Sequence, residues 1–164
     1  MKKTVILLTV LLLLVSGCSS GNNEPEKPDN PPATEEKYTI VLNGKEITAG
    51  DKFDENNFPP CDESFDETDC AFGDKVTYYE YGDYEVMVCY INGEAYIYEV
   101  FLLSPDIKTK EGLALGDSYD DMIKAMGEPV RTEDITYYYQ KGKTVYAFVV
   151  ADGSISTISY SLER

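Results

Sequence analysis

The side chains best suited to chemistry in this 164-residue chain are carboxylates, tyrosines and cysteines, because there is no histidine and no tryptophan. Without histidine, neither a Ser-His-Asp nor a Cys-His nucleophile can be assembled, and no His-ligated zinc or haem can be held. Ser118 in Gly116-Asp117-Ser118 therefore reads as a helix cap and not as a nucleophile. The stretch 51–69 carries Asp51, Asp54, Glu55, Asp62, Glu63, Asp66, Glu67 and Asp69 against Lys52 alone. Calcium takes such oxygen ligands, which makes Asp62, Asp66 and Asp69 the weak metal candidates. The spacing does not match an EF-hand loop, and no glycine supplies its sharp turn. A solvated acidic loop is the plain reading, and no cofactor is expected. Carboxylate pairs can hydrolyse glycosides, but with 30 acidic residues such pairs arise by accident.

Cys61 and Cys70 flank Asp62–Asp69 in a region without periodicity. A bridge between them would close a short loop and contribute about 2–3 kcal/mol in an oxidising compartment. Cys89 lies in the apolar run Glu85-Val-Met-Val-Cys-Tyr-Ile91 and reads as a buried free thiol. Fourteen tyrosines are unusual at this length, and Tyr78-Tyr79-Glu80-Tyr81 and Tyr137-Tyr138-Tyr139 form two clusters. Strand neighbours point to opposite faces. If Val76 and Ile135 face a core, Tyr79, Tyr81 and Tyr138 lie on the opposite face and become the candidate partner-binding residues, since tyrosine is a good interface anchor.

The elements that must position these residues follow from turn signals. Asn43-Gly44, Asn92-Gly93 and Asp152-Gly153 are hairpin dipeptides. Strand-like runs cover 38–42, 75–81, 84–91, 95–103, 134–140, 143–150 and 154–162. One helix is expected after Ser118. Tyr119, Met122, Ile123 and Met126 form its apolar stripe, Asp120 and Asp121 suit its positive end, and Gly127 suits its stop. Gly50–Glu55 matches Gly116–Asp121 at a shift of 66, and Val76-Thr77-Tyr78-Tyr79 matches Ile135-Thr136-Tyr137-Tyr138 at 59. The reading is an α+β, two-layer domain of two degenerate α-βββ repeats, 37–108 and 109–164. It has an antiparallel sheet of about six to seven strands and a helical layer on one face. Asn56-Asn57-Phe58-Pro59-Pro60 is poor helix material, so the first helix is expected to be eroded.

The N-terminus supplies an address. Lys2 and Lys3 precede an apolar run, Val5 to Val15, too short to span a bilayer comfortably, and Val15-Ser16-Gly17-Cys18 follows. These four residues resemble the lipobox of bacterial lipoproteins. The resemblance implies a signal peptide over 1–17, lipid attachment at Cys18 (diacylglycerol on the thiol, often a palmitate-like acyl chain on the amine), and a cell-envelope, extracytoplasmic location. Residues 18–36 are polar and proline-rich and read as a disordered tether, reaching up to ~50 Å. The 37–164 domain keeps 11 basic and 25 acidic residues, a net −14. That charge argues against nucleic acid and for a basic partner.

Glu111-Gly-Leu-Ala-Leu-Gly-Asp-Ser-Tyr-Asp-Asp-Met-Ile-Lys-Ala-Met-Gly-Glu-Pro129, followed by strands, resembles the BamE-like (SmpA/OmlA) envelope lipoproteins. It also resembles the tandem unit of β-lactamase inhibitor protein. The whole of 37–164, with Cys70-Ala-Phe and Lys110-Glu-Gly, is similar to uncharacterised lipoproteins of Gram-positive gut bacteria. These resemblances imply a non-catalytic module that binds an extracytoplasmic protein through an acidic, tyrosine-bearing sheet face. The alternative expectation is a lipoprotein that binds calcium or a cationic small ligand such as a polyamine.

Overall fold

The structure is a computed structural model that describes residues 36–68 and 75–163. A short hairpin comes first: β1 (Ile40–Leu42) and β2 (Lys45–Ile47) pair around Asn43-Gly44, both with positive φ. Eight further strands follow: β3 (Glu63–Thr68), β4 (Lys75–Glu80), β5 (Tyr84–Ile91), β6 (Glu94–Leu102), β7 (Arg131–Glu133), β8 (Thr136–Lys141), β9 (Thr144–Ala151) and β10 (Ser154–Leu162). They form one antiparallel sheet in the order β3-β4-β5-β6-β10-β9-β8-β7. Among the described residues one α-helix, α1 (Tyr119–Met126), precedes β7.

The expected α+β class is corrected by this architecture. The described residues are mostly β, 52% strand and 9% helical, with an eight-stranded and a two-stranded sheet and no helical layer among them. Two local causes explain the difference. Asn56, Asn57 and the prolines after them support only a single 3₁₀ turn, Glu55–Asn57, whose start is capped by the Asp54 carboxylate accepting from the Asn56 amide. The acidic stretch after Cys61, read as a loop, instead extends as edge strand β3, with every residue exposed. A second edge strand, β7, is short and exposed too. Neither edge carries the alternating burial that marks a strand in a sequence.

The sheet is two four-stranded halves joined through β6 and β10. The two-residue turns at Asn92-Gly93 and Asp152-Gly153 both take positive φ twice, the conformation that matches strand twist. They lie sixty positions apart, and so do the cross-strand pairs Val86–Val100 and Tyr146–Tyr160. Val100 in turn pairs with Tyr160, so a local two-fold relation passes through that pair. In β4 and β8 the same sixty-residue register holds: Tyr78 pairs with Met87 as Tyr138 pairs with Ala147. The alignment at 59 is therefore one residue out. A slip of one residue exchanges the two faces of a strand.

One face of the sheet carries the main core. Tyr84, Val86 and Val88, Val100 and Leu102, Tyr146 and Phe148, and Ile158 and Tyr160 are all buried on it. They are covered by Ile40, Leu42 and Ile47 from the hairpin, by Phe58 and Leu113 from loops, and by Met122 from α1. Burying each large apolar side chain contributes about 1.5–3 kcal/mol. The N-terminal strap is also held by hydroxyls rising from the sheet. The Tyr160 hydroxyl donates to the Tyr38 carbonyl at 2.6 Å and accepts from the Ala49 amide at 3.0 Å. The Tyr146 hydroxyl donates to the Thr39 carbonyl at 3.2 Å, and Thr144 Oγ1 accepts from the Tyr38 amide at 2.7 Å. These bonds satisfy strap backbone groups that lack strand partners.

Helix α1 starts where Ser118 Oγ accepts from the Asp121 amide at 3.1 Å, while the Asp121 carboxylate accepts from the Ser118 hydroxyl at 2.6 Å. It ends at Gly127, with φ +77. Of the expected stripe, Met122 is fully buried, Ile123 and Met126 pack at the core's margin, and Tyr119 stays 37% exposed against Tyr137.

Candidate functional site

Among the described residues no helix or second sheet covers the opposite face. The strand registers place one residue from each strand in a single row across it: Glu63, Glu80, Glu85, Phe101, Ser159, Ala147, Tyr138 and Arg131. The two ends of the row differ in bulk. In the first half, Val76, Met87, Cys89 and Tyr98 form a buried cluster, with Tyr78, Tyr96 and Leu162 packed against it. Phe65 lies flat on Tyr78, ring centroids 5.0 Å apart. In the second half the equivalent surface is made of small residues, Ala147, Ser159, Ser161, Thr136 and Thr157, with Val145 and Val149. The sheet surface is therefore sunken there, into a groove of about 780 Å³. Phe101 and Glu99 stand on one side, and Tyr138, Arg131 and Val130 on the other. Val130 is 65% exposed.

The groove's far wall is a cluster of three side chains in mutual contact. The Arg131 guanidinium lies over the Tyr138 ring at 3.9 Å and donates to Glu133 at 3.0 Å; the Tyr138 hydroxyl donates to Glu133 at 3.3 Å. The three members hold one another in place. At the other end, Glu63 opposes Glu80 and Glu80 opposes Glu85. Like charges in direct cross-strand register are unfavourable. Glu85 is half-buried, and burial pushes its carboxyl up, with Glu80, Glu67 and Glu99 adding to the effect. Among the described residues no salt bridge involves Glu63, Glu80 or Glu85.

The expected site residues are distributed differently from their sequence reading. Tyr138 is on the open face, but Tyr79 and Tyr81 are on the core face. Tyr79 packs on Phe53 at 4.7 Å, and Tyr81 stacks on Phe58 at 5.5 Å and on Tyr84 at 5.0 Å. Burial pushes both hydroxyls well above the ordinary tyrosine range. The physical reason is the one-residue register, which puts Tyr78, not Tyr79, in the position equivalent to Tyr138. Phe65, Tyr78 and Phe101 were missed. The sixty-residue spacing of the Asn-Gly and Asp-Gly turns was the signal that could have found Tyr78.

The acidic stretch does not converge. Glu63, Phe65 and Glu67 alternate with Asp66 along β3, so successive carboxylates diverge. Asp66 accepts from Lys75 at 2.9 Å and from the Thr77 hydroxyl at 2.8 Å, which holds its carboxyl below the usual range. Asp62 is exposed, and Asp69 lies outside the described residues. Among the described residues no group of three metal-ligating side chains could hold an ion. Cys89 is buried and its thiol is pushed up by burial, the opposite of an activated nucleophile. Cys61 is exposed; its expected partner Cys70, and the lipid-attachment residue Cys18, lie outside the described residues. No helix among the described residues is long and apolar enough to cross a membrane. No family model, curated protein or solved structure matches this chain.

Proposed function

We propose that this protein is a lipid-anchored, extracytoplasmic, non-catalytic binding module, which engages a protein partner through the open face of its sheet. The observation that carries the reading is the uncovered, concave second half of that face, walled by Phe101 and by the Arg131–Tyr138–Glu133 cluster. Aromatic and arginine side chains at the margin of a concavity are what protein interfaces use as anchors. The anchoring part of the reading is supported by Val15-Ser16-Gly17-Cys18 after an apolar run, and the partner's basic character by the net −14 of residues 37–164.

The test is photo-crosslinking in cells with the full chain, carrying a benzophenone amino acid at Ser159 or Tyr138, or at exposed Lys124 on α1 as the control. Adducts from Ser159 and Tyr138, absent from Lys124, are expected. Adducts only from Lys124, or none from the open face, overturn the reading. In the same cells, growth with an alkyne-tagged fatty acid is expected to label the chain, and Cys18→Ser to abolish the label; no label on the parent chain, or an undiminished label on the variant, would remove lipid attachment at Cys18.

A further inference from the structure

The open face is bipartite, and its two parts ask for different chemistry. The groove floor around Ala147, Ser159 and Ser161 is small and uncharged, and a bulky side chain is the shape that fills it. The adjoining part of the same row presents Glu85 and Glu80. Among the described residues no lysine or arginine forms an ion pair with either of them. Lys52, Lys75, Lys110 and Lys141 are each engaged elsewhere, with Glu94, Asp66, Glu46 and Glu111. Arg131 is held by Glu133 and Tyr138. Glu85 on β5 is three strands from Ala147 on β9, which is about 14 Å at the spacing of adjacent strands. A single hairpin with its side chains spans that distance.

Resting on the binding-module reading above, we propose that the face recognises a protruding protein hairpin or loop of one kind. An aromatic tip seats in the groove over Ala147 and Ser159, and an adjacent lysine or arginine lies against Glu85 and Glu80. The aromatic tip supplies affinity by burying area in a groove that is already formed. The basic residue supplies orientation, because only one direction of insertion brings it to the carboxylates. The same contact relieves the repulsion between Glu80 and Glu85 that the free protein carries.

The test uses four disulfide-closed hairpins, identical except for the tip (Trp or Ser) and the flanking pair (Lys or Glu). Each is titrated against the full chain in detergent micelles by fluorescence anisotropy, at low and high salt. The Trp-Lys hairpin is expected to bind on the order of tenfold or more tighter than the other three, and to weaken with salt. Ala147→Trp, which fills the groove, is expected to cost at least about tenfold at both salt levels. If that variant melts lower than the parent, Ser161→Trp on the neighbouring strand fills the same space. Glu80→Gln with Glu85→Gln is expected to cost about fivefold at low salt and to flatten the salt dependence. Equal binding of the four hairpins, no binding by any, or unchanged affinity in the groove-filling variants overturns the proposal. Crosslinks from Ser159 without the hairpin preference sink this inference and leave the binding module standing; missing open-face crosslinks sink the module itself.

Discussion

Replacing Tyr160 by phenylalanine keeps the ring and removes one oxygen, and the structure says what that oxygen does. The side chain is fully buried, its ring 5.1 Å from that of Tyr146. Its hydroxyl donates to the Tyr38 carbonyl and accepts from the Ala49 amide, at the two ends of the strap that covers the core. Ring packing survives the substitution, so no cavity term enters. What is lost is the pairing of two buried backbone groups. An amide left without a partner costs about 1–3 kcal/mol, and a carbonyl with a second lone pair somewhat less. Tyr160→Phe is therefore expected to destabilise by about 2–4 kcal/mol. Urea denaturation should show a lower midpoint with an unchanged slope, since the surface exposed on unfolding is the same. Hydrogen exchange should locate the loss: the Ala49 amide should exchange faster, while amides in central β9 keep their protection. A loss under about 0.5 kcal/mol, or unchanged protection at Ala49, would refute the view that this hydroxyl holds the strap to the sheet.

Alkaline pH should act on the same group. Burial pushes the Tyr160 hydroxyl up to about 12 from 10.0, so the native state keeps a proton that the unfolded chain gives up. The stability it contributes is complete below pH 10 and is lost as pH rises toward about 12, by up to about 3 kcal/mol; buried Tyr146 is pushed in the same direction. Thermal melts against pH should show that fall, and a shallower one in Tyr160→Phe; identical slopes would count against the assignment. Ser118→Ala removes the acceptor of the Asp121 amide and should cost about 1 kcal/mol, read as a shift of the urea midpoint. Gly153→Ala meets nothing within 4 Å, so its cost of about 1–2 kcal/mol comes from backbone at φ +81 alone. An unchanged midpoint would show that the β9–β10 turn relaxes without strain.

How far the sequence reached can be seen at particular residues. Local chemistry was legible: the Asn-Gly and Asp-Gly turns, the Ser118 cap, the Gly127 stop and the long strands of each half are all written in neighbouring residues. Burial of Cys89 was legible too, because it sits in a run of apolar neighbours. What was not legible depends on partners far along the chain. β3 and β7 are strands because β4 and β8 offer them free edges, and their own exposed residues carry no period. A one-residue difference between shifts of 59 and sixty decided which face of the sheet each tyrosine takes, and cross-strand pairing settles it. Tyr79 and Tyr81 went to the core for that reason, while Tyr138 stayed outside.

The sequence alone therefore determined the chemistry the protein can lack and the local conformations it must adopt: no histidine base, a strongly acidic domain, hairpin turns and one capped helix. The tertiary structure decided which face those strands present. It replaced the expected helical layer with a strap held by Tyr146 and Tyr160 hydroxyls. It also set small residues against large ones on the opposite face, leaving a groove in one half. Turn and cap preferences are properties of a few adjacent residues. Register, edge pairing and concavity are sums over strands up to sixty residues apart, and no local pattern encodes them.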